Sequence, residues 1–214
     1  MRMLQRMKMS LMSILAIGAS MLCSISAWAD TWTDDDSNVW TYSGGQVTGV
    51  KIEAPTKLVI PDNLGGNPVT SFTASTFAGK DAVRVTIPAT VTSIPAGAFA
   101  GCSNLKSVTI NGTGLKSIGA TAFKGCENLE AFVMPHSVET VGQGVFSGCT
   151  SLESVTLSDK LDEIPDVKWT SSAASNVIEY DDGIRGGGVS YGFFYNCTSL
   201  KTINWARASR KLVT

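Results

Sequence analysis

The chain has 214 residues, of which 43% are hydrophobic and 16% are charged, and its formal net charge is −1 at pH 7. The hydrophobic content is sufficient for a packed core and excludes a generically disordered chain. Because the charges nearly balance, the chain lacks the basic field with which proteins hold nucleic acid or an anionic lipid surface.

Residues 1–29 have the pattern of a secretory signal peptide. Its parts are a positive region with Arg2, Arg6 and Lys8, an apolar run from Leu11 to Cys23, and the small-x-small cleavage motif Ala27-Trp28-Ala29. We expect cleavage after Ala29, so that the mature protein is secreted or held at the cell surface. The mature chain then carries 14 Lys and Arg against 18 Asp and Glu, a net charge of −4, and keeps four cysteines.

Two alternatives for this N-terminal segment stay open. A transmembrane anchor would need a longer run that is not broken by Ser and Gly, and no later stretch is long enough to span a membrane. A lipoprotein would be acylated at Cys23, but the preceding Leu22 is larger than the small residue that this modification favours.

Residues 30–57 predict an N-terminal β-hairpin cap. Trp40-Thr41-Tyr42 and the run from Val47 to Ile52 flank a turn at Ser43-Gly44-Gly45. We expect this hairpin to cover the open end of the core that follows. The acidic run Asp34-Asp35-Asp36 is interpreted as a solvated turn and not as a calcium site, because no ligand-loop spacing follows it.

Residues 58–205 carry a repeat that is marked by cysteine. Its copies are Phe99-Ala-Gly-Cys-Ser-Asn-Leu105, Phe123-Lys-Gly-Cys-Glu-Asn-Leu129, Phe146-Ser-Gly-Cys-Thr-Ser-Leu152 and Phe194-Tyr-Asn-Cys-Thr-Ser-Leu200. The first three cysteines are separated by 24 and 23 residues, a period that is typical of solenoids. An earlier, degenerate copy has Phe77-Ala-Gly with Lys80 at the cysteine position.

Each copy continues into a run with the pattern L-x-x-L-x-L, in which apolar residues alternate as in a half-buried strand. A second apolar pair follows in each coil: Val91 and Ile94, Leu115 and Ile118, Val138 and Val141, and Leu161 and Ile164. These patterns predict a β-rich repeat solenoid of stacked parallel strands with little regular helix. The phenylalanines of the copies should fill the middle of the coils.

The segment from Ile87-Pro88-Ala-Thr-Val91-Thr-Ser-Ile94 through Cys102 to Ile110 resembles the BspA-type, or Treponema-type, leucine-rich repeat almost position by position. The resemblance covers about Leu58 to Trp205. It implies leucine-rich-repeat coils and a surface protein of a bacterium or a parasitic protist. Such proteins have been linked to adhesion and to the binding of host or extracellular-matrix proteins.

From the pattern and the resemblance we expect a bacterial binding or adhesion module that recognises a protein or glycoprotein ligand. We expect no enzymatic activity, cofactor, small-molecule substrate or nucleic-acid partner. The alternative is a structural repeat segment, or a truncated fragment of a larger surface protein, with no ligand of its own.

The candidate contact surface consists of the strand residues that lie between the buried ones. Stacked coils should join them into a continuous sheet face, rich in small residues and nearly uncharged. The positions are Ser107, Thr109, Ala131, Val133, Ser154, Thr156, Thr202 and Asn204.

The step from Cys149 to Cys197 is 48 residues, which exceeds one period by 25. We expect an inserted loop at about residues 167–191, with a decayed extra coil as the alternative. Its Trp169, Tyr180 and Tyr191 are candidate ligand contacts. Its end also matches the hydrolase motif G-x-S-x-G around Ser190, but no histidine follows to complete a triad. Residues 206–214 match nothing in the repeat and are expected to form a tail.

The four cysteines of the mature chain are predicted to be buried free thiols. Equivalent positions in successive coils stack about 4.8 Å apart, so the side chains should point in parallel and not toward each other. Zinc ligation is not expected, since the two-residue spacing of zinc ligands is missing. The single histidine, His136, has no partner at motif spacing and is interpreted as a surface residue.

Overall fold

The computed structural model describes residues 30–52, 56–161, 164 and 192–205, and regular helix is absent from these ranges. The strands are β1 (Asp30–Thr33), β2 (Val39–Ser43), β3 (Gln46–Lys51), β4 (Thr56–Val59), β5 (Asn63–Leu64), β6 (Asn67–Pro68), β7 (Ser71–Phe72), β8 (Ala82–Ile87), β9 (Ser93–Ile94), β10 (Ser107–Ile110), β11 (Ser117–Ile118), β12 (Ala131–Val133), β13 (Thr140–Val141), β14 (Ser154–Leu157) and β15 (Thr202–Trp205). Successive coils stack along one axis, so the predicted solenoid is confirmed. Residues 1–29, the segment around 167–191 and residues 206–214 lie outside the described part.

One side of the solenoid is formed by parallel strands, which we call the first ladder: β4, β8, β10, β12, β14 and β15. Val85 of β8 lies opposite Leu58 and Val108 in the neighbouring strands. Val155 of β14 lies opposite Phe132 and Ile203. Because side chains alternate along a strand, this register directs the apolar positions inward and the small polar positions outward.

The first ladder is interrupted, which corrects the expectation of a continuous sheet face. Strands β4, β8 and β10 form one sheet, and β12, β14 and β15 form another. At the junction the amide of Glu130 donates to the carbonyl of Lys106 at 3.3 Å, just before the strands begin. The interruption coincides with the 24-residue coil, which has one more residue in the turn between Ile110 and Leu115 than its neighbours have.

The second ladder consists of the short strands β7, β9, β11 and β13, of which β9, β11 and β13 form one parallel sheet. Ile118 of β11 lies opposite Ile94 and Val141, and the amide of Thr92 donates to the carbonyl of Thr70 at 3.2 Å. The predicted second apolar pairs are buried, except that Val141 is half-buried. The two ladders therefore cover the core of each coil from two sides.

The predicted N-terminal hairpin is confirmed as β2 and β3, which pair antiparallel. The structure adds two features that the sequence did not indicate. Strand β1 pairs antiparallel with β2, and β3 pairs in parallel with β7. The hairpin therefore extends the second ladder beyond the first coil, which is how it covers the core.

A column of phenylalanine rings runs along the solenoid axis. Ring centroids are 4.9 Å apart for Phe77 and Phe99, 5.3 Å for Phe99 and Phe123, and 5.9 Å for Phe123 and Phe146. The rings of successive coils are nearly parallel, and Phe194 continues the column at 5.9 Å from Phe146. The prediction that these rings fill the middle of the coils is confirmed.

The third side of each coil is a turn-rich segment that carries the phenylalanine. Amides in one coil donate to carbonyls in the next, as from Phe99 to Ala122 at 2.8 Å. The tight path requires left-handed backbone, which glycine adopts without strain. Gly101 has φ 73°, whereas Thr121 and Asn196 adopt φ 56° and 57° as non-glycine residues.

The coil of Phe194 stacks directly on the coil of Phe146. Strand β15 pairs in register with β14, and the amide of Phe146 donates to the carbonyl of Phe193 at 3.1 Å. This contact leaves no space for a further coil between them. The residues of the predicted insertion, about 167–191, lie outside the described part, so the inserted loop stays a prediction.

Candidate binding face

The four cysteines of the repeat form a buried column beside the phenylalanines. Each thiol donates a hydrogen bond to the carbonyl of a phenylalanine in the preceding coil. The Sγ-to-oxygen distances are 3.0 Å from Cys102 to Phe77, 3.2 Å from Cys126 to Phe99, 3.1 Å from Cys149 to Phe123 and 3.0 Å from Cys197 to Phe146. All four are free thiols, as predicted, and they hold adjacent coils together.

These thiols are poor nucleophiles, because burial disfavours the thiolate. Burial raises the pKa of the Cys102 thiol from 9.0 to about 11. The pKa of Cys197 is raised for the same reason. The pKa of Cys149 is raised by its hydrogen-bonding contact with the Cys126 side chain and by burial. The cysteine column is therefore a structural element and not a reactive site.

In the acidic run near the N-terminus, the carboxylate of Asp34 accepts hydrogen bonds from neighbouring groups of the protein. Asp34 Oδ1 accepts hydrogen bonds from the amides of Asp36 at 3.0 Å and Asn38 at 2.8 Å. Its Oδ2 accepts from Asn38 Nδ2 at 3.0 Å and from Trp40 Nε1 at 2.9 Å. With four donors around it, this carboxylate organises the turn, and the described ranges contain no cluster of residues that could hold a metal ion.

The remaining polar candidates from the sequence are His136 and Ser190. His136 lies exposed in the turn after β12, as expected of a surface residue. Ser190 lies outside the described residues, as do Trp169, Tyr180 and Tyr191. A helix with the length and the hydropathy of a membrane span does not occur in residues 30–52, 56–161, 164 and 192–205.

The outward side chains of the first ladder form two rows, which we call the strand face. The first row is Lys57, Arg84, Ser107, Ala131, Ser154 and Thr202, and the second row is Val59, Thr86, Thr109, Val133, Thr156 and Asn204. All eight strand positions singled out from the sequence lie in these rows. Thr109, Ala131, Val133 and Asn204 are exposed, and the other four are partly exposed.

Four residues of the strand face were missed by sequence reasoning: Lys57, Val59, Arg84 and Thr86. The strand around Arg84 was recognised as part of a degenerate coil, but its outward residues were not included. The strand around Lys57 was not recognised, because the segment before it does not contain the cysteine phrase. The alternation of Lys57-Leu58-Val59-Ile60 is the signal that could have revealed it.

Lys57 and Arg84 make one end of the strand face charged. The expected nearly uncharged character therefore holds only for the other strands.

The strand face carries the large apolar side chains that the described part of the molecule leaves exposed. Val59 is 44% exposed and Val133 is 65% exposed, and both lie in the second row. Between them stand Thr86 and Thr109, whose methyl groups and hydroxyls can serve either apolar or hydrogen-bonding contacts. The outer surface of the second ladder carries the polar residues Ser93, Ser117 and Thr140 instead. The strand face is thus the amphipathic surface of the solenoid.

The chain matches the protein-family model that is described as the BspA type leucine rich repeat region. The match extends over residues 70–201 and comprises 6 copies of the repeat. No curated protein sequence matches the chain at a significant level.

Several crystal structures of leucine-rich-repeat proteins are similar to this chain. A leucine-rich repeat protein from Bacteroides capillosus is 24% identical, with 58% of this chain and 96% of that chain covered and a TM-score of 0.48. The leucine-rich repeat protein of T. pallidum is 21% identical, with coverage of 85% and 81% and a TM-score of 0.47. A leucine rich cell surface protein from Faecalibacterium prausnitzii is 27% identical, with coverage of 62% and 44% and a TM-score of 0.45.

Proposed function

The chain belongs to the BspA-type leucine-rich-repeat family, and we propose that it is an exported, surface-exposed binding module that recognises a protein ligand through its strand face. Solenoids are suited to this role, because stacked repeats create extended binding surfaces on a rigid scaffold. The pattern of residues 1–29 supports export. Catalysis forms no part of the proposal.

The observation that carries the proposal is the placement of Val59 and Val133. Exposed apolar side chains on a folded protein are informative when they gather on one surface. These two lie in one row of the strand face, at 44% and 65% exposure, and Thr86 and Thr109 stand between them. Exposed apolar side chains set among polar ones have the mixed composition of a protein–protein interface.

The proposal is tested by placing a bulky charged side chain at one of two similar strand positions, which lie on different surfaces of the solenoid. Thr109 lies on the strand face and Thr140 on the outer surface of the second ladder, and both are exposed threonines in strands. The purified chain is screened against extracellular-matrix proteins and glycoproteins by biolayer interferometry. For any ligand found, Thr109→Arg should weaken binding about tenfold or more, while Thr140→Arg should leave it unchanged.

Two results count against the proposal. Equal loss in both variants would mean that the strand face is not the contact surface. Failure to bind any member of a broad panel would favour the alternative, a structural repeat segment with no ligand of its own.

A further inference from the structure

We propose that the pair Lys57 and Arg84, which we call the cationic corner, docks a carboxylate-bearing segment of the partner protein. The inference rests on the proposed function and gives the chemistry of the partner. The ligand that it predicts is an extended acidic polypeptide, with an apolar side chain next to its carboxylates.

The cationic corner is created by the register of the first ladder. Lys57 of β4 lies directly opposite Arg84 of β8, both point outward, and both are exposed. Strands in a sheet are about 4.8 Å apart, and like charges that lie opposite each other destabilise the sheet. The equivalent positions in the later strands are Ser107, Ala131, Ser154 and Thr202, so the fold does not need a cation there.

Two lysines of the solenoid pair with a carboxylate of a neighbouring coil, whereas the two cations of the corner face each other. Lys116 Nζ lies 2.9 Å from Glu139 Oε1 in the adjacent coil, and Lys201 Nζ lies 2.9 Å from Glu153 Oε1 in the coil before it. Among the described residues, neither Lys57 nor Arg84 has such an ion pair. Two adjacent cations without a carboxylate, in a chain whose net charge is −1, are available to an acidic partner.

The extent of the corner favours a polypeptide over a polyanion. The cationic run ends after two residues, because the next positions of the first row, Ser107 and Ala131, are uncharged. A nucleic acid, a sulfated polysaccharide or an anionic membrane is held by a longer basic field. Val59, two residues after Lys57 in β4, adds an exposed apolar contact that such polyanions do not need. Arginine also binds a carboxylate through two parallel hydrogen bonds, which suits a single Asp or Glu side chain.

The test uses short synthetic peptides with two neighbouring aspartates and a nearby leucine, immobilised beside peptides in which asparagine replaces both aspartates. The full chain should bind the aspartate peptides more tightly, and added salt should weaken this binding. Lys57→Glu and Arg84→Glu should each weaken it about tenfold. Lys160→Glu is the matched control, since Lys160 is an exposed lysine in the turn after β14, and it should leave the affinity unchanged.

Three outcomes would overturn the inference: equal binding of aspartate and asparagine peptides, no binding of either, or charge-reversal variants that bind as well as the parent chain. Dextran sulfate and phosphatidylglycerol vesicles are tested in parallel. Binding of either that depends on Lys57 and Arg84, without peptide binding, would assign the corner to a polyanion instead. The Thr109→Arg variant separates the two proposals. If it abolishes binding of the partner protein while the corner variants do not, the proposed function stands and the acidic partner is wrong.

Discussion

The indole Nε1 of Trp40 donates a hydrogen bond of 2.9 Å to Oδ2 of Asp34. The same indole ring is fully buried and meets the ring of Phe77 edge to face, with centroids 6.2 Å apart. Trp40 therefore ends the phenylalanine column, and Asp34 holds Trp40 in place. A single carboxylate thus links the N-terminal turn to the core of the solenoid.

We predict that Asp34→Asn destabilises the protein. The Nδ2 group of the new asparagine is a donor and would face either Trp40 Nε1 or the turn amides, which are donors too. At least one hydrogen bond to a charged acceptor is therefore lost. The free energy of unfolding, measured by urea denaturation with circular dichroism, should fall by about 1.5–3 kcal/mol. The control is Asp35→Asn in the same turn, where the side chain is exposed. A similar loss in the control would show that net charge, and not the hydrogen bonds, is responsible.

The cysteine column predicts a loss of stability at alkaline pH. The pKa of Cys102 is raised in the folded protein from 9.0 to about 11, so the unfolded chain releases the thiol proton first. The contribution of this group is fully present below pH 9 and is lost as the pH rises toward 11. Thermal unfolding measured across this interval should show a falling midpoint. The fall should be shallower in Cys102→Val, and an equal slope in that variant would contradict the assignment to Cys102.

Left-handed backbone at Thr121 predicts a stabilising substitution. A β-branched residue at φ 56° costs on the order of 1–3 kcal/mol, which exceeds the entropy penalty of introducing glycine. Thr121→Gly should therefore raise the free energy of unfolding by about 1 kcal/mol. Thr109→Gly in the extended strand β10 should lower it by a similar amount. Differential scanning calorimetry of both variants checks the opposite signs, and a destabilised Thr121→Gly would show that no strain is stored there.

Close approach of coils at Gly142 predicts a destabilising substitution. A Cβ atom at this position would lie 2.2 Å from the backbone nitrogen of Ala120, so the coils would have to separate. We expect Gly142→Ala to lower the free energy of unfolding by about 2 kcal/mol or more. Gly49→Ala is the control, because the nearest atom to its Cβ would be Thr41 Cβ at 3.7 Å. Equal effects of the two alanines in urea denaturation would mean that the stacking at Gly142 is not tight.

Much of the fold could be predicted because the repeat is local in sequence. The spacing of Cys102, Cys126 and Cys149 gives the period, and the alternation after each phrase gives the strands. A period repeated in the chain becomes a period in space, since each coil can bury its apolar side only against its neighbours. The outward positions, such as Thr109 and Val133, follow from the same alternation.

The candidate site could be predicted only in part, because two of its strands carry weak repeats. Lys57 and Arg84 become neighbours through the pairing of β4 with β8, although they are 27 positions apart in the chain. Nothing in the local sequence around either residue indicates this pairing. The interruption between β10 and β12 was also missed, since both strands match the alternation of the other repeats.

The sequence alone determined the period, the inward and outward residues of the strands that follow the cysteine phrases, and the burial of the cysteines as free thiols. These properties depend on the alternation and spacing of side chains along the chain, which are the same before and after folding. Only the tertiary structure decided that Trp40 closes the phenylalanine column, that β15 stacks directly on β14, and that two cations meet at the end of the strand face. These three contacts join distant or irregular segments, so they depend on the register and backbone hydrogen bonding between coils, which no local pattern specifies.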